Sequence, residues 1–118
     1  MAHYEDLDVF QRSYQTALLV HKLTGEHERD DTVRQIRRAT KSIPANIAEG
    51  CNVVNSKAEI RRFLGMALRS CDEVRLWLDF CRDLGYVAAD ECLHLKSQYR
   101  EYGAMLYALW KRHDPESS

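Results

Sequence analysis

The sequence predicts an all-α protein: an up-down antiparallel four-helix bundle whose second helix is bent at Pro44. Three observations carry that expectation. Apolar residues recur at alternating steps of three and four along long segments, the spacing of a buried helical seam. Only two prolines and five glycines occur in 118 residues. The breaks between periodic segments are short, and short connections between long helices make sequential neighbours antiparallel.

The first helix is expected from about Tyr4 to Leu23, with Leu7, Phe10, Tyr14, Ala17 and Leu18 as its apolar face. Thr24-Gly25 ends it, and the polar loop Glu26 to Asp31 follows. Asp30 or Asp31 can cap the second helix. Val33, Ile36, Thr40, Ile43 and Ile47 form its seam. Pro44 lacks an N–H and deprives the Thr40 carbonyl of its usual donor. Ser42 and Asn46 are polar neighbours able to help satisfy that bend, and Gly50, just after Glu49, offers a stop. Ser42, Pro44, Asn46, Glu49 and Gly50 are thus expected to be structural, building the bend and closing the helix, the alternative being a strained site that binds a ligand.

Cys51 to Asn55 reads as the next break. Ser56, followed three residues later by Glu59, has the capping-box pattern. The third helix then runs to Leu84, stopped by Gly85. Its seam is Ile60, Leu64, Ala67, Cys71, Val74, Leu78 and Cys81, and its length is about 40 Å. Tyr86-Val87 leads into the last helix, with Ala88, Cys92, Leu95, Tyr99, Tyr102, Leu106 and Leu109 as its seam. Residues 1–112 thus form one bundle domain, and residues 113–118 a polar tail. Beside the seams lies a second apolar stripe. Phe63, Met66, Trp77, Phe80 and Leu84 on the third helix, with Tyr107 and Trp110 on the fourth, cannot all face one small core. Such surplus apolar surface predicts a homo-oligomer, with Phe63, Met66, Trp77, Phe80 and Trp110 as interface candidates.

Composition narrows the function. No apolar run is long enough to span a bilayer, and the N-terminus has neither the basic start nor the apolar core of a signal peptide. A cytoplasmic location is expected, with the four cysteines unpaired. Three of them occupy seam positions, where cysteine packs as a small apolar residue; Cys51 is the candidate for exposure. Glu91 and His94 form a single Glu-x-x-His pair, whereas a di-iron bundle needs two such pairs plus further glutamates. There is no phosphate-binding glycine loop and no nucleophile elbow. A non-enzymatic protein without metal or cofactor is expected.

Charge supplies the remaining signal. The net charge is −1, but residues 34–69 hold eight Lys/Arg against two Asp/Glu, +6 locally and −7 elsewhere. Arg34, Arg37, Arg38 and Lys41 stand at helical spacing, with Arg61 and Arg62 in support from the next helix. A rigid row of cations suits phosphate contact without base reading. The alternatives are solvated charge, or internal pairs with Glu49, Glu59 or Glu73. No aromatic residue interleaves with these cations in sequence, so base stacking on the patch is not expected.

The same residues carry a resemblance. Gln35-Ile36-Arg37-Arg38 followed by Ser42-Ile43-Pro44-Ala45-Asn46-Ile47-Ala48-Glu49-Gly50 resembles the signature of the four-helix-bundle family named for the intervening sequences of bacterial 23S rRNA genes. Asp6-Leu7-Asp8-Val9-Phe10-Gln11 is similar to the family's opening. Arg62-Phe63-Leu64 with Ala67, Ser70 and Glu73 is similar to its third helix, and Leu84-Gly85-Tyr86-Val87 to its last turn. The chain departs from the pattern at Asn52-Val53-Val54, where basic residues are common, and at Arg69, where a small residue is common. The resemblance implies a ring, a homopentamer. It also implies kinship with accessory subunits of diversity-generating retroelements, in which a basic pentamer binds nucleic acid and a reverse transcriptase. The combined expectation is a homo-oligomeric bundle that binds nucleic acid, RNA or DNA and structured RNA above all, through Arg34, Arg37, Arg38, Lys41, Arg61 and Arg62. The alternative is a scaffold that recruits a polymerase-like or reverse-transcriptase-like protein without touching RNA itself.

Overall fold

A computed structural model describes residues 3–53 and 55–116. Four helices follow in order: α1 (Asp8–Leu23), α2 (Asp31–Asn52), α3 (Lys57–Asp83) and α4 (Ala89–Arg112). Short 3-10 turns at Tyr4–Asp6 and Gly25–His27 precede and follow α1. Each helix packs on the next, and α4 closes back onto α1. The rod measures 49 × 22 × 20 Å. Cross-helix contacts fix the antiparallel order of α2 and α3. Gly50 lies against Phe63, Ser42 meets Ser70, Arg38 meets Glu73, and Asp30 meets Tyr86, so ascending numbers on one helix face descending numbers on the other.

Local chemistry sets the helix ends. The Asp30 carboxylate accepts the Thr32 N–H at 2.8 Å, and the Ser56 hydroxyl accepts the Glu59 N–H at 3.1 Å, so both α2 and α3 start on side-chain caps. At the end of α3, Gly85 takes φ +79°. The Tyr86 N–H reaches back to the Cys81 carbonyl (2.8 Å) and the Gly85 N–H to the Arg82 carbonyl (3.0 Å), the paired closure that a left-handed glycine permits. Asn55, also at positive φ (71°), makes the turn between α2 and α3.

The seams of α2, α3 and α4 lie in the core as their spacing predicts, except that Ala88 is exposed just before α4 and Leu109 is half-buried. Val33, Ile36, Ile43, Ile47, Leu64, Ala67, Val74, Leu78, Leu95, Tyr99 and Leu106 are wholly buried. Three expectations need correction. The core face of α1 is Val9, Ser13, Thr16, Ala17 and Val20; Tyr14 and Leu18 point outward and Phe10 is half-buried. Polar residues can face the core here because their hydroxyls are satisfied: Ser13 and Thr16 donate to the Phe10 and Arg12 carbonyls, and Thr16 shares a 2.7 Å bond with the Tyr102 hydroxyl. Gly50 does not stop α2, which continues to Asn52. Gly50 is a buried close approach, where a Cβ would stand 3.4 Å from the Phe63 Cβ. The first helix does not begin at Tyr4 but at Asp8, after the 3-10 turn. The polar tail follows α4 as a turn over residues 113–116; its last two residues, Ser117 and Ser118, lie outside the described residues.

α2 runs through Pro44 without a break. Ser42 turns its hydroxyl to Ser70 on α3, and the Asn46 amide donates to the Ser42 carbonyl at 2.8 Å. These two residues therefore serve the α2–α3 contact and the turn around the proline, while Pro44 itself is buried. Glu49 is exposed one residue before the Gly50 contact.

Candidate nucleic-acid interface

The cations of α2 do not share one surface. A helical wheel spreads them over a broad arc, and the neighbouring helices divide that arc between them. Arg37 leans onto α1, donating to the Thr24 hydroxyl at 3.2 Å and the His21 carbonyl at 2.9 Å. Arg38 leans the other way, to Glu73 of α3, and also reaches the Gln35 amide oxygen. Arg34 stays local, 3.5 Å from Asp31 and bonded to the Arg29 carbonyl. Lys41 is exposed at the edge of the α1–α2 groove. Arg37 and Lys41 have no acid partner among the described residues. Burial, then the positive charges of Arg37 and Lys41, hold the neighbouring His21 below its ordinary pKa.

The cations of α3 sit among rings. Arg62 is held by Glu59 (2.6 Å) and lies 4.5 Å over the Phe63 ring. Arg61 lies over the Trp110 indole of α4, 3.5 Å from its centroid, and 3.9 Å from Asp114 in the turn after that helix. Four of the six expected binding cations therefore have a neighbouring acid. The acids differ from those expected: Glu59 and Glu73 serve, but Asp31 and Asp114 also do, and Glu49 does not. Two of the pairs are exposed on both sides, whereas Arg61 and Glu73 are half-buried. Arg34 and Asp31 keep 62% and 75% of their side-chain surface in solvent, and Arg62 and Glu59 keep 54% and 42%.

A basic and aromatic cluster appears where the sequence gave no hint of one. Beside Arg61 and Arg62, two turns further along α3, stands Arg69, with Gly65 between. Trp110 comes from α4 to the same groove, and Tyr107 stacks beside it at 5.8 Å with planes 19° apart. No aromatic residue lies between the expected cations in sequence, but in space those of α3 lie against Phe63 and Trp110, so the expectation fails there. The spacing of residues 61, 65 and 69 is legible as one helical stripe; the arrival of Trp110 is not, because it depends on how α4 packs.

The interface candidates divide as well. Phe80 is exposed, 46%, as are Leu76 and Leu84 along the same ridge. Phe63, Met66, Trp77 and Trp110 are half-buried within the chain. Trp77 packs on the core edge and donates its indole N–H to Glu73 at 2.9 Å, the carboxylate that also holds Arg38. A second apolar surface was missed: a groove of about 490 Å³ between α1 and α2, walled by Phe10, Tyr14, Leu18, Pro44 and Ala48.

All four cysteines are free, and burial pushes Cys71 up to about 12 and Cys81 up to about 11, far from the thiolate form. Among the described residues no three His, Cys, Asp or Glu side chains are grouped to hold a metal ion. His94 is exposed and Glu91 half-buried, both off the α4 seam. Among the described residues no helix is long and apolar enough to cross a membrane.

Comparison with known proteins agrees with this architecture. A crystal structure from Bacteroides thetaiotaomicron VPI-5482, a protein with unknown function from the S23 ribosomal protein family, matches with a TM-score of 0.78. It is 23% identical, and the match covers 87% of this chain and 98% of that one. That likeness speaks for the fold alone. No curated protein matches the chain. The sequence pattern of the 23S rRNA-intervening sequence protein spans residues 5–108, from the first turn through most of α4, and the chain belongs to that family.

Proposed function

We propose that this chain is a non-enzymatic, cytoplasmic bundle that assembles with copies of itself, as a pentamer by family resemblance, and binds structured RNA through the cations of α2 and the first half of α3. The observation that carries the reading is the kind of pairing these cations have. Arg37 and Lys41 face no carboxylate among the described residues, and Arg34 and Arg62 are held by exposed acids three residues away on their own helices. Exposed pairs contribute only about 0–1 kcal/mol. A phosphate offers the same charge-assisted, bidentate geometry to an arginine, so exchanging carboxylate for phosphate costs little. The family's name, drawn from 23S rRNA, supports RNA as the polyanion. Repetition around an oligomer multiplies a modest patch into an extended one.

Filter binding of ribosomal RNA fragments tests the reading. Retention at low salt that falls steeply as salt rises, with little dependence on sequence, is expected. No retention at low salt overturns it. A second reading, a scaffold for a polymerase-like or reverse-transcriptase-like protein, is favoured by the exposed groove between α1 and α2 and by the Leu76, Phe80, Leu84 ridge. Charge reversal at Arg37 and Arg38 separates the two when RNA and the protein partner are both assayed.

A further inference from the structure

We infer that the groove between α3 and the end of α4 is a binding site for one nucleotide unit of a single RNA strand, with phosphate on the arginines and base against the aromatic pair. The inference rests on the RNA-binding reading above and adds a site, a ligand chemistry and a preference to it. The groove holds about 320 Å³ and is lined by Arg61, Arg62, Gly65, Arg69, Trp110 and Pro115. Arg61 already covers one face of the Trp110 indole, so the cations for a backbone are Arg62 and Arg69 at the groove and the ring open to a base is the exposed Tyr107 stacked beside Trp110.

Details of the groove favour a ligand over bare packing. The Arg61 Nε is buried and has no hydrogen-bond partner among the described residues. That atom is closed to solvent, so an entering phosphate meets the exposed Arg62 and Arg69 guanidinium groups instead. Arg69 is exposed and has no acid partner among the described residues. Gly65 leaves room between them: a Cβ there would come within 3.7 Å of the Trp110 indole nitrogen and 3.8 Å of the Arg69 guanidinium. The Asp114 carboxylate stands 3.9 Å from Arg61, close to the place an anion would take. It acts as a weak internal competitor at the groove mouth. Beyond Trp110, the half-exposed Tyr107 extends the ring surface, and Lys111 lies 5.7 Å over it.

These groups impose a preference. A paired base hides its faces inside the stack, whereas a base in a loop or at a strand end can lie on a ring or on an arginine plane. The site therefore selects unpaired segments of a structured RNA. The remaining α2 cations contact phosphate without regard to pairing.

The test uses the full chain carrying Trp77→Phe, so that Trp110 is the sole indole, titrated with a short oligoadenylate, AMP, inorganic phosphate and an RNA duplex. Quenching of Trp110 by the oligoadenylate, saturating at lower concentration than with AMP or the duplex, is expected. Arg69→Ala and Tyr107→Ala alter exposed side chains, and each should weaken binding of the single strand by roughly five-fold or more. Asp114→Asn should tighten it. Trp110→Leu is read only alongside a thermal melt, because Trp110 also packs on Arg61. Unchanged affinity in Arg69→Ala and Tyr107→Ala overturns the site, as does a preference for the duplex. AMP binding as tightly as the oligoadenylate assigns the groove to free nucleotides and overturns the strand assignment. Failure of this site is distinguishable from failure of the broader reading: in the first case ribosomal RNA fragments are still retained at low salt, and in the second they are not.

Discussion

Asp30 illustrates how much one side chain does in this protein. Its carboxylate caps α2 through the Thr32 N–H and accepts the Tyr86 hydroxyl at 3.0 Å, tying the start of α2 to the chain that follows α3; Tyr86 in turn stacks on His27 at 3.9 Å. The Tyr86 hydrogen bond first, and the Thr32 backbone second, hold Asp30 below the ordinary carboxylate pKa. A folded-state pKa below the unfolded one contributes stability that is complete above the unfolded value. That stability is lost as pH falls through the folded value. Asp30→Ala should therefore lower the melting temperature at neutral pH, and the gap from the unaltered chain should close in acid, below the ordinary carboxylate range. Melting curves recorded from neutral to acid pH check it. The cap was legible, because an aspartate before a helical seam is a local signal. Its second partner, Tyr86, lies 56 residues away and was not.

Among the elements, α2, α3 and α4 follow their sequence pattern because large aliphatic residues and tyrosines mark their buried faces without ambiguity. α1 does not. Its buried face is built from Ser13, Thr16 and small apolar residues, whereas the large residues Tyr14 and Leu18 point outward and Phe10 is half-buried. Hydrophobic periodicity weighs side-chain size and has no means of knowing that Tyr102 will meet the Thr16 hydroxyl. Gly50 was misread for a related reason. Glycine at the end of a periodic run resembles a stop, but here it lets α3 come close. Gly50→Leu should destabilise the chain by about 1–3 kcal/mol in urea unfolding, the usual cost of overpacking a filled core. Gly50→Ala, whose methyl meets Phe63 at 3.4 Å, should cost much less. Equal, negligible effects would show that α2 and α3 are not in close contact there.

For the whole molecule, the charge asymmetry was legible and its geometry was not. The predicted single basic face is divided between the α1 side, the α3 side and the aromatic groove at the end of α4, because each flanking helix draws in the cation nearest to it. The molecule also exposes two apolar surfaces, the α1–α2 groove and the ridge of Leu76, Phe80 and Leu84. Such surfaces are uncommon on a monomer that works alone. Light scattering on a sizing column should thus return several times the 13.8 kDa chain mass. Phe80→Glu, which places a charge on the ridge, should reduce that mass if the ridge is part of the assembly. A monomer in the unaltered chain contradicts the oligomer proposal.

The central claim is that the α2 cations without a carboxylate partner among the described residues, Arg37 and Lys41, contact RNA phosphate, joined by Arg34 and Arg62, whose acids are exposed. Its most direct test is the dependence of RNA affinity on salt, compared between the unaltered chain and a variant with Arg37→Ala and Lys41→Ala. The slope of log K against log salt counts the phosphates neutralised, at about 0.7 per contact for a single strand and about 0.9 for a regular duplex. The account predicts a steep slope that becomes shallower by about one to two units in the variant while the melting temperature changes little. Measurable RNA affinity with the same slope in both chains would contradict it.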